Sequence, residues 1–371
     1  MRIKVCSPQL GIAPESNSGG EVYDREVIKA FCNHGIKVIT ILPKNKPYLI
    51  DKNLKAYYLP FPFIWPPYLF NIFIIPWLFW LYKKYNFNVL RIHSPYFVGL
   101  GALVFKFFHP KIPLVAVYHH LEPKKHVYNL INRLFIHQWN IIIADSQFTK
   151  DQIIKKYKVG ESKIKIIYAG VEKRFKNIPK KKSLVKKYQL KGKKVLFFLG
   201  ELKPRKNLKF LIKVFNKIDN LGVKLLICGQ GKLFDSLKKQ VQGLGLENKV
   251  IFTGYIPEKE KVDYYNLADI FLFPSSLEGF GMPIIEAGAC SVPSIASDIS
   301  SLKELVLNRK TGYLARFSDL DDWKKKIEEL LENENLRKRM GLAGRKFSQR
   351  FSWNKTVEKQ LVIYKNLLEK I

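Results

Sequence analysis

The most informative segment of the chain is FLFPSSLEGFGMPIIEAGA, which runs from Phe271 to Ala289. An apolar run ends at Pro274 and a turn-rich loop follows. Pro283 stands where a helix would begin, because its fixed φ and missing N–H suit the first helical turn. The pattern predicts a strand, a loop and a helix N-terminus. The free N–H groups of such a terminus, with the positive end of the helix dipole, favour an anion such as a diphosphate.

Two carboxylates flank this predicted anion site. Glu278 lies in the loop and Glu286 about one turn into the helix, with seven residues between them. A carboxylate accepts hydrogen bonds in pairs and therefore suits vicinal hydroxyls, as on ribose or a hexose. Gly279 and Gly281 let the backbone approach a ligand closely. Taken alone, the pair is more typical of a buried loop with a capping Glu and a helical Glu that makes surface contacts.

A second stretch upstream makes the site more specific. The apolar strand predicted at Val195 to Leu199 is followed by GELKPRKN and then by a helical pattern from Leu208 to Ile218. Arg205 and Lys206 thus stand where a strand passes into a helix. A fork-shaped guanidinium and a compact ammonium could clamp a diphosphate there, from the side opposite the glutamates. A solvated surface pair is the alternative in so basic a chain.

Together these motifs resemble the family 4 retaining glycosyltransferases of GT-B fold, within glycosyltransferase group 1. The resemblance covers nearly the whole chain and is most specific in its C-terminal half. It is carried by GELKPRKN at 200–207, ADIFLFPSS at 268–276, EGFGMPIIEA at 278–287, SDISSLKELV at 297–306 and TGYL at 311–314. It implies an α/β protein with two Rossmann-like, doubly wound domains facing a cleft, and retention of anomeric configuration.

Length and composition agree with two cytoplasmic domains. At 371 residues the chain exceeds one ordinary core. The four cysteines are far apart in sequence and are typical of reduced core thiols, and the N-terminus MRIKVC does not have the pattern of a signal peptide. We expect an N-terminal acceptor-binding domain at 1–172, a basic linker at 173–193, a donor-binding domain at 194–350 and a C-terminal helix, about 351–371, that packs back on the first domain.

The formal charge is +33, from 64 basic and 31 acidic residues, and much of it is local. No acidic residue occurs from Lys52 to Leu121, and Lys173 to Lys194 holds eleven Lys or Arg. Such a field attracts nucleic acid, anionic lipid or a phosphorylated substrate. The aromatic residues cluster in one apolar run and are not interleaved with the basic ones, so no specific nucleic-acid partner is predicted.

The uncharged run from Ala56 to Tyr82 has two interpretations. Five prolines argue against one membrane-spanning helix: Pro60, Pro62, Pro66, Pro67 and Pro76. The run is either a core helix with an apolar connector or an interfacial element, with Trp65, Trp77 and Trp80 at headgroup level and Lys83 and Lys84 at its rim. The second interpretation predicts an anionic membrane surface as a partner of residues 56–84, on the inner face of the cell membrane. The basic linker either adds to that surface or is a solvated, flexible stretch.

The resemblance implies roles for further residues. Gly19 and Gly20 would lie over the donor phosphates and the acceptor. His119 would touch the transferred sugar, although His120 stands where the family commonly has Asp. Tyr255 and Ile256 would lie beside the nucleobase. Phe280 and Met282 complete the loop against the donor, with Gly279 and Gly281.

The predicted function is transfer of a sugar from a nucleotide-diphosphate sugar to a glycan or lipid-linked acceptor. Glu286 would hold the ribose, Glu278 the sugar, and Arg205 with Lys206 the diphosphate. No cofactor or metal is expected, since Asp319-Leu320-Asp321 is more typical of a helix cap than of a metal site. A nucleotide-sugar epimerase of similar fold and a non-enzymatic basic membrane or nucleic-acid binder are the alternatives.

Overall fold

The computed structural model describes residues 2–16, 19–61, 69–93, 95–119, 121, 126–218 and 222–371. The chain forms two compact units, Met1–Gly170 with Trp353–Ile371 (unit 1) and Val171–Ser352 (unit 2). Each unit is a parallel sheet with helices between its strands. The predicted class, two Rossmann-like α/β domains, is confirmed.

Unit 1 carries a seven-stranded sheet in the order β3-β2-β1-β4-β5-β6-β7, with every pair parallel. Its elements are β1 (Lys4–Cys6), α1 (Gly19–Asn33), β2 (Lys37–Leu42), β3 (Leu54–Tyr58), α2 (Phe70–Tyr85), β4 (Val89–His93), α3 (Pro95–Phe108), β5 (Leu114–Tyr118), α4 (His126–Phe135), β6 (Ile141–Ala144), α5 (Gln147–Tyr157), β7 (Ile164–Ile166) and, from the end of the chain, α14 (Trp353–Leu368).

Unit 2 carries a six-stranded parallel sheet in the order β10-β9-β8-β11-β12-β13. Its elements are α6 (Lys182–Lys187), β8 (Lys194–Leu199), α7 (Leu208–Asn216), β9 (Val223–Cys228), α8 (Phe234–Gly243), β10 (Val250–Gly254), α9 (Lys261–Leu267), β11 (Ile270–Phe273), α10 (Met282–Ala289), β12 (Ser294–Ser297), α11 (Leu302–Leu305), β13 (Gly312–Ala315), α12 (Leu320–Glu332) and α13 (Glu334–Ser348).

Inner strands such as β5 and β11 are continuous apolar runs, as expected where helices cover both faces of a parallel sheet. All residues of β5 (LVAVY) and β11 (IFLF) are buried. The four cysteines are free and buried, as predicted for core thiols. Burial raises the pKa of Cys32 to about 12, so this thiol stays protonated and unreactive.

Each sheet has one point where the strand order reverses. In unit 1 it lies between β1 and β4, and in unit 2 between β8 and β11. The loops that leave the carboxyl ends of such a strand pair diverge to opposite faces of the sheet and leave a crevice, which is where open α/β sheets bind ligands. We call each point where the strand order reverses a switch point. The two switch points are where a ligand site is expected in each unit.

The apolar run from Ala56 divides between two elements. Its start belongs to β3, an edge strand that the sequence pattern did not reveal, and its end forms α2 with Pro76 inside the helix. Pro62, Trp65, Pro66 and Pro67 lie outside the described residues. One side of α2 enters the core through Ile74, Leu78 and Leu81, among others. No helix in the described part of the chain is long and apolar enough to cross a bilayer.

The segment predicted as a linker, residues 173–193, lies within unit 2. Phe175 is buried edge-on against Tyr265, with ring centroids 5.8 Å apart, and the backbone N–H of Ile178 donates to Asn266 Oδ1 over 2.8 Å. Farther along, the hydroxyls of Tyr188 and Tyr264 are 3.0 Å apart. The segment is therefore packed and is not the solvated, flexible stretch that its Lys content suggested. The reason is that its few apolar residues are buried against the rest of unit 2.

The C-terminal helix α14 belongs to unit 1 and packs on α1. Tyr364 stacks on Phe31, with ring centroids 5.8 Å apart, and Trp353 meets Tyr23 edge-on at 5.6 Å. Asp319 caps α12 by accepting from the backbone N–H of Asp322, so the cap predicted for the Asp-Leu-Asp triplet is confirmed.

Candidate active site

The paired cations follow the end of β8. The chain forms a single 3-10 turn at Pro204–Lys206, and Asn207 then adopts the left-handed backbone conformation, with φ 53°, before α7 begins. Arg205 and Lys206 thus stand at the carboxyl edge of the sheet, on one side of the β8–β11 switch point.

Glu278, from the loop after β11, lies against both cations. Its Oε2 is 2.8 Å from Nη1 of Arg205, and its Oε1 is 2.8 Å from Nζ of Lys206. The prediction that the cations lie opposite the glutamates is wrong for Glu278, because β8 and β11 are neighbours and the loops after them meet. The two loops are also joined by a backbone hydrogen bond of 2.8 Å from Ser276 N to Arg205 O.

Two of the three charged side chains in this cluster, Glu278 and Lys206, are buried. Burial opposes the ionisation of Glu278, but Lys206 and Arg205 outweigh it and lower the pKa of the carboxyl to about 2. Lys206 is 7% exposed, and its Nζ lies 4.4 Å from the centroid of the Phe273 ring. Burial lowers the pKa of Lys206, against the opposing charge of Glu278. Two positive charges and one negative charge leave a net positive site that suits an anion.

The loop after Glu278 is held from a neighbouring segment. Ser301 Oγ donates to the carbonyl oxygens of Glu278 and Phe280, over 3.0 and 2.8 Å, and Ser300 Oγ accepts from the N–H of Glu278 over 3.2 Å. These serines belong to the SDISSLKELV motif, whose role in supporting the loop was not evident from the sequence. They keep Glu278 in place independently of a ligand.

The loop ends at the N-terminus of α10. Gly281 has φ 109°, and a Cβ there would come 3.0 Å from Leu302 Cδ2, so only glycine fits without strain. Met282 begins the helix and Pro283 lies in its first turn, as predicted. Gly279 is buried beside Glu278. The predicted strand, loop and helix N-terminus are therefore all present.

Glu286 belongs to a different polar group. Its Oε2 accepts a hydrogen bond of 2.7 Å from the buried hydroxyl of Tyr265. Burial raises the pKa of the Glu286 carboxyl; Lys261 opposes this shift and Glu258 adds to it. Arg174 also reaches this group, with Nη2 3.0 Å from Glu258 Oε2. The sequence analysis did not single out these partners, because they come from segments that only the fold brings together.

The residues predicted beside the nucleobase follow β10. Tyr255 is half-buried, and the side chain of Ile256 is buried. A contact by Tyr255 or Ile256 with a base stays a prediction.

In unit 1 the predicted residues meet near the β1–β4 switch point. Gly19 and Gly20 begin α1, and His119 follows β5 with its Nδ1 3.1 Å from Oδ2 of Asp145. His119 Nε2 lies 3.3 Å from Nδ1 of His93, a histidine that was not predicted as part of a site. His93 ends β4, and its place at the carboxyl end of a strand beside the switch point could have revealed it. His120 lies outside the described residues.

Two family models match the chain nearly from end to end. Glycosyltransferase Family 4 matches residues 17–175, and Glycosyl transferases group 1 matches residues 180–347. The chain is a glycosyltransferase whose two halves match these two families.

Curated relatives are about a quarter to a third identical to this chain over the matched regions. An uncharacterized glycosyltransferase of Methanocaldococcus jannaschii is 31% identical over 229 residues, which cover 61% of this chain and 59% of the relative. The O-antigen chain mannosyltransferase B of Escherichia coli is 27% identical over 235 residues, covering 61% of each chain. The match thus spans about three fifths of the length of these relatives.

Solved structures of other proteins share this fold. Sucrose-phosphate synthase from Thermosynechococcus elongatus superposes with a TM-score of 0.87 at 19% identity, covering 100% of both chains. HepE of Anabaena, solved in complex with UDP-glucose, superposes with a TM-score of 0.80 at 17% identity, again over 100% of both chains. Nothing in these comparisons favours an epimerase or a nucleic-acid binder.

Proposed function

We propose that this glycosyltransferase moves a hexose from a nucleotide-diphosphate sugar to a hydroxyl of a glycan or lipid-linked acceptor, with retention of anomeric configuration. The observation that carries the proposal is the cluster of Arg205, Lys206 and Glu278, which lies at the switch point of the second sheet. It puts two cations and a carboxylate at the ligand crevice of one Rossmann-like unit.

The chemistry follows from the charges. As the bond between the anomeric carbon and the phosphate oxygen breaks, negative charge grows on the departing nucleoside diphosphate. Arg205 and Lys206 stabilise that charge more in the transition state than in the ground state. The two cations supply the positive charge without a metal or another cofactor. Among the described residues, no three His, Cys, Asp or Glu side chains are grouped so that they could hold a metal ion.

The two glutamates take different parts of the donor. Each oxygen of Glu278 contacts one cation, and a carboxylate has about four acceptor positions, so capacity remains for sugar hydroxyls. Glu286 would accept from the ribose hydroxyls, beside the Tyr265 hydroxyl that already donates to it. HepE binds UDP-glucose and the Escherichia coli relative is named for O-antigen mannosylation, which supports a nucleotide-sugar donor and a glycan acceptor.

The donor is tested by thermal unfolding with UDP, GDP, ADP and their sugar conjugates. A ligand at a hundred times its Kd stabilises the native state by about 2.7 kcal/mol, which gives a visible shift. We expect one nucleotide to shift the wild type and to have no effect on Arg205→Ala or Glu286→Ala. The control is Lys217→Ala, which removes a half-exposed cation and should keep the response. No shift with any nucleotide would contradict the donor site.

An apolar surface of unit 1 supports a membrane-bound acceptor. We call it the α2–α4 face, because α2 packs on α3 and α3 on α4. It exposes large apolar side chains on all three helices: Ile72, Phe73, Trp80, Leu100, Phe107, Phe108, Leu130 and Leu134. Large apolar side chains exposed on neighbouring helices are typical of an interaction site.

The positive charge around this face favours an anionic lipid bilayer as its binding partner. α2, α3 and α4 contain no acidic residue, and Lys83, Lys84, Lys111 and Arg133 are exposed at or near their ends. Lys84 Nζ lies 4.8 Å from the Trp80 ring centroid, so the charge borders the apolar surface directly. Apolar insertion together with basic charge is what stable surface anchoring needs. We therefore propose a peripheral location on the cytoplasmic face of the membrane, where buried free thiols stay reduced.

Vesicle sedimentation tests this location. We expect the protein to pellet with phosphatidylglycerol vesicles and not with phosphatidylcholine, and Leu134→Asp to weaken pelleting. Leu342→Asp is the matched control, because Leu134 and Leu342 are both helical and both 63% exposed, but Leu342 lies on α13 of unit 2. Equal loss in both variants, or no pelleting of the wild type, would rule out the α2–α4 face.

A further inference from the structure

The start of unit 2 carries a charged side chain that the proposed donor site does not use. Arg174 lies in the segment 173–193, which was predicted as a linker and packs in unit 2. Its side chain is 29% exposed, and its guanidinium carbon lies 4.7 Å from the centroid of the Phe175 ring. The residues that it contacts, Glu172, Phe175 and Glu258, belong to unit 2 as well.

The guanidinium of Arg174 joins two carboxylates. Its Nε and Nη2 donate to Oε1 of Glu172 over 3.0 and 2.7 Å. Nη2 also lies 3.0 Å from Oε2 of Glu258, and Nη1 donates to the backbone carbonyl oxygen of Glu258. These contacts use three nitrogen atoms of a planar fork at once, which the single nitrogen of a lysine could not reproduce. Arg174 thus fixes both the side chain and the backbone of Glu258.

Glu258 belongs to the loop that was predicted beside the nucleobase. It begins a 3-10 turn two residues after Ile256. Its side chain is 11% exposed, and its Oε1 pairs with Lys261 at the start of α9. A buried carboxylate between two cations depends on both of them, because the loss of one leaves charge without compensation. The contact with Arg174 therefore fastens the loop that follows β10.

A second route leads from Arg174 to Glu286. The Phe175 ring, beside the guanidinium, meets Tyr265 edge-on with ring centroids 5.8 Å apart. The Tyr265 hydroxyl donates to Glu286 Oε2 over 2.7 Å. Both rings are buried, and in a close-packed interior a displacement of one ring displaces the next. The carboxylate proposed to hold the ribose is therefore linked to the residue that fixes the loop after β10.

We propose that Arg174 is a positioning residue for the nucleoside end of the donor: it fixes the loop after β10 through Glu258 and sets the place of the Glu286 carboxylate through the two buried rings. This role presupposes the donor site proposed above and involves residues of unit 2 alone. The donor site then has two parts. The nucleoside end depends on Arg174, whereas the diphosphate end depends on the two cations after β8.

The test compares a nucleoside diphosphate with its 2′-deoxy form. The probe is whichever of UDP, GDP and ADP shifts the thermal unfolding of the wild type, and titration calorimetry gives both dissociation constants. We expect the wild type to bind the ribose form about tenfold more tightly, because Glu286 is a charged acceptor for its hydroxyls. Arg174→Lys keeps the charge but not the fork. It should bind the ribose form about tenfold more weakly and reduce the preference to about twofold or less.

The matched control is Arg316→Lys. Arg316 also pairs with a carboxylate of unit 2, with Nη2 2.9 Å from Asp319 Oδ2, but its side chain is 73% exposed. This variant should keep the preference of the wild type. Glu172→Gln is a second variant, which retains Arg174 and weakens only its outer partner. It should reduce the preference in the same direction by a smaller factor, and it decides the question if Arg174→Lys does not fold.

The ratio of the two dissociation constants separates positioning from a general loss of structure. A loosened fold weakens both nucleotide forms equally, so equal weakening, or an unchanged ratio in the variants of Arg174 and Glu172, overturns the role of Arg174. A wild type that binds a nucleotide without preference for its ribose form also overturns that role and leaves the donor site standing. A wild type that binds none of the three nucleotides overturns the donor site itself.

Discussion

Glu278 is held by two cations of unequal exposure, since Lys206 is buried and Arg205 is partly open to solvent. Removing the negative charge would leave an ammonium buried without a partner, which is far costlier than losing a surface pair. We predict that Glu278→Gln lowers the free energy of unfolding by about 3 kcal/mol. Chemical denaturation at pH 7 measures it.

The control is Glu201→Gln. Glu201 pairs with Lys203 over 2.6 Å, but both side chains are exposed. Its loss should change the free energy of unfolding by less than about 1 kcal/mol. Equal effects from the two variants would mean that the charges of Glu278, Arg205 and Lys206 are well hydrated.

Glu278 and Glu286 should respond to pH in opposite ways. The pKa of Glu278 falls to about 2 in the folded protein, so its stabilisation is present above the unfolded value, near 4.5, and is lost as pH falls towards 2. The pKa of Glu286 is raised by burial, so its ionised form costs stability above its folded pKa. We predict that Glu278→Gln is less stable than wild type at pH 7 and Glu286→Gln more stable.

Both differences should vanish in acid, because protonated Glu resembles Gln in charge and shape. Unfolding free energies measured from pH 8 to pH 2 test this. If Glu286→Gln is destabilised at high pH, the carboxylate of Glu286 has favourable partners that outweigh its burial.

At the scale of elements, α10 and α13 approach each other through glycines. A Cβ at Gly341 of α13 would overlap the backbone carbonyl oxygen of Ser291, and one at Gly288 would come 3.1 Å from Gly344 O. This packing supports the helix whose N-terminus faces the donor loop. Glycine is therefore needed at these positions, because any side chain would keep α10 and α13 from lying so close together.

We predict that Gly341→Ala destabilises the protein by about 1–3 kcal/mol, since the backbone of Ser291 cannot give way as a flexible side chain would. Helix propensity alone would make the change stabilising. Gly243→Ala on α8 shows that opposite sign, because nothing lies within 4 Å of its Cβ, and should gain about 0.5–1 kcal/mol. Thermal and chemical unfolding of the two variants provide the comparison.

At the scale of the whole molecule, the end of the chain completes the first unit. Tyr364 of α14 is fully buried, stacks on Phe31 and donates to Gln360 Oε1 over 3.0 Å. Gln360 Nε2 in turn lies 3.5 Å from the Tyr23 hydroxyl in α1. The C-terminal helix thus supports α1.

We predict that Tyr364→Ala lowers the free energy of unfolding by about 3–5 kcal/mol and weakens hydrogen-exchange protection in α1. Val362→Ala, two residues away on the exposed side of α14, should stay within about 0.5 kcal/mol of wild type. Unchanged protection of α1 in Tyr364→Ala would show that α14 is dispensable for unit 1.

The sequence alone determined what depends on neighbours along the chain. Apolar runs such as Phe271 to Phe273 are buried strands, Gly281 and Pro283 mark a loop and a helix start, and Asp319 caps α12. These features follow from backbone conformation and from the burial of short segments, which local residue types largely decide. The family resemblance carried by short motifs was also enough to predict two Rossmann-like units.

Which distant side chains meet depends on the tertiary fold. Glu278 lies against Lys206 because sheet order makes β8 and β11 neighbours, and Asp24 contacts His93 because β4 lies beside β1. Sheet order is set by hydrogen bonds between strands far apart in sequence, so residue spacing does not reveal it. Trp80 is exposed and Leu78 buried for a similar reason, since the packing partner of α2 decides which of its apolar sides faces water.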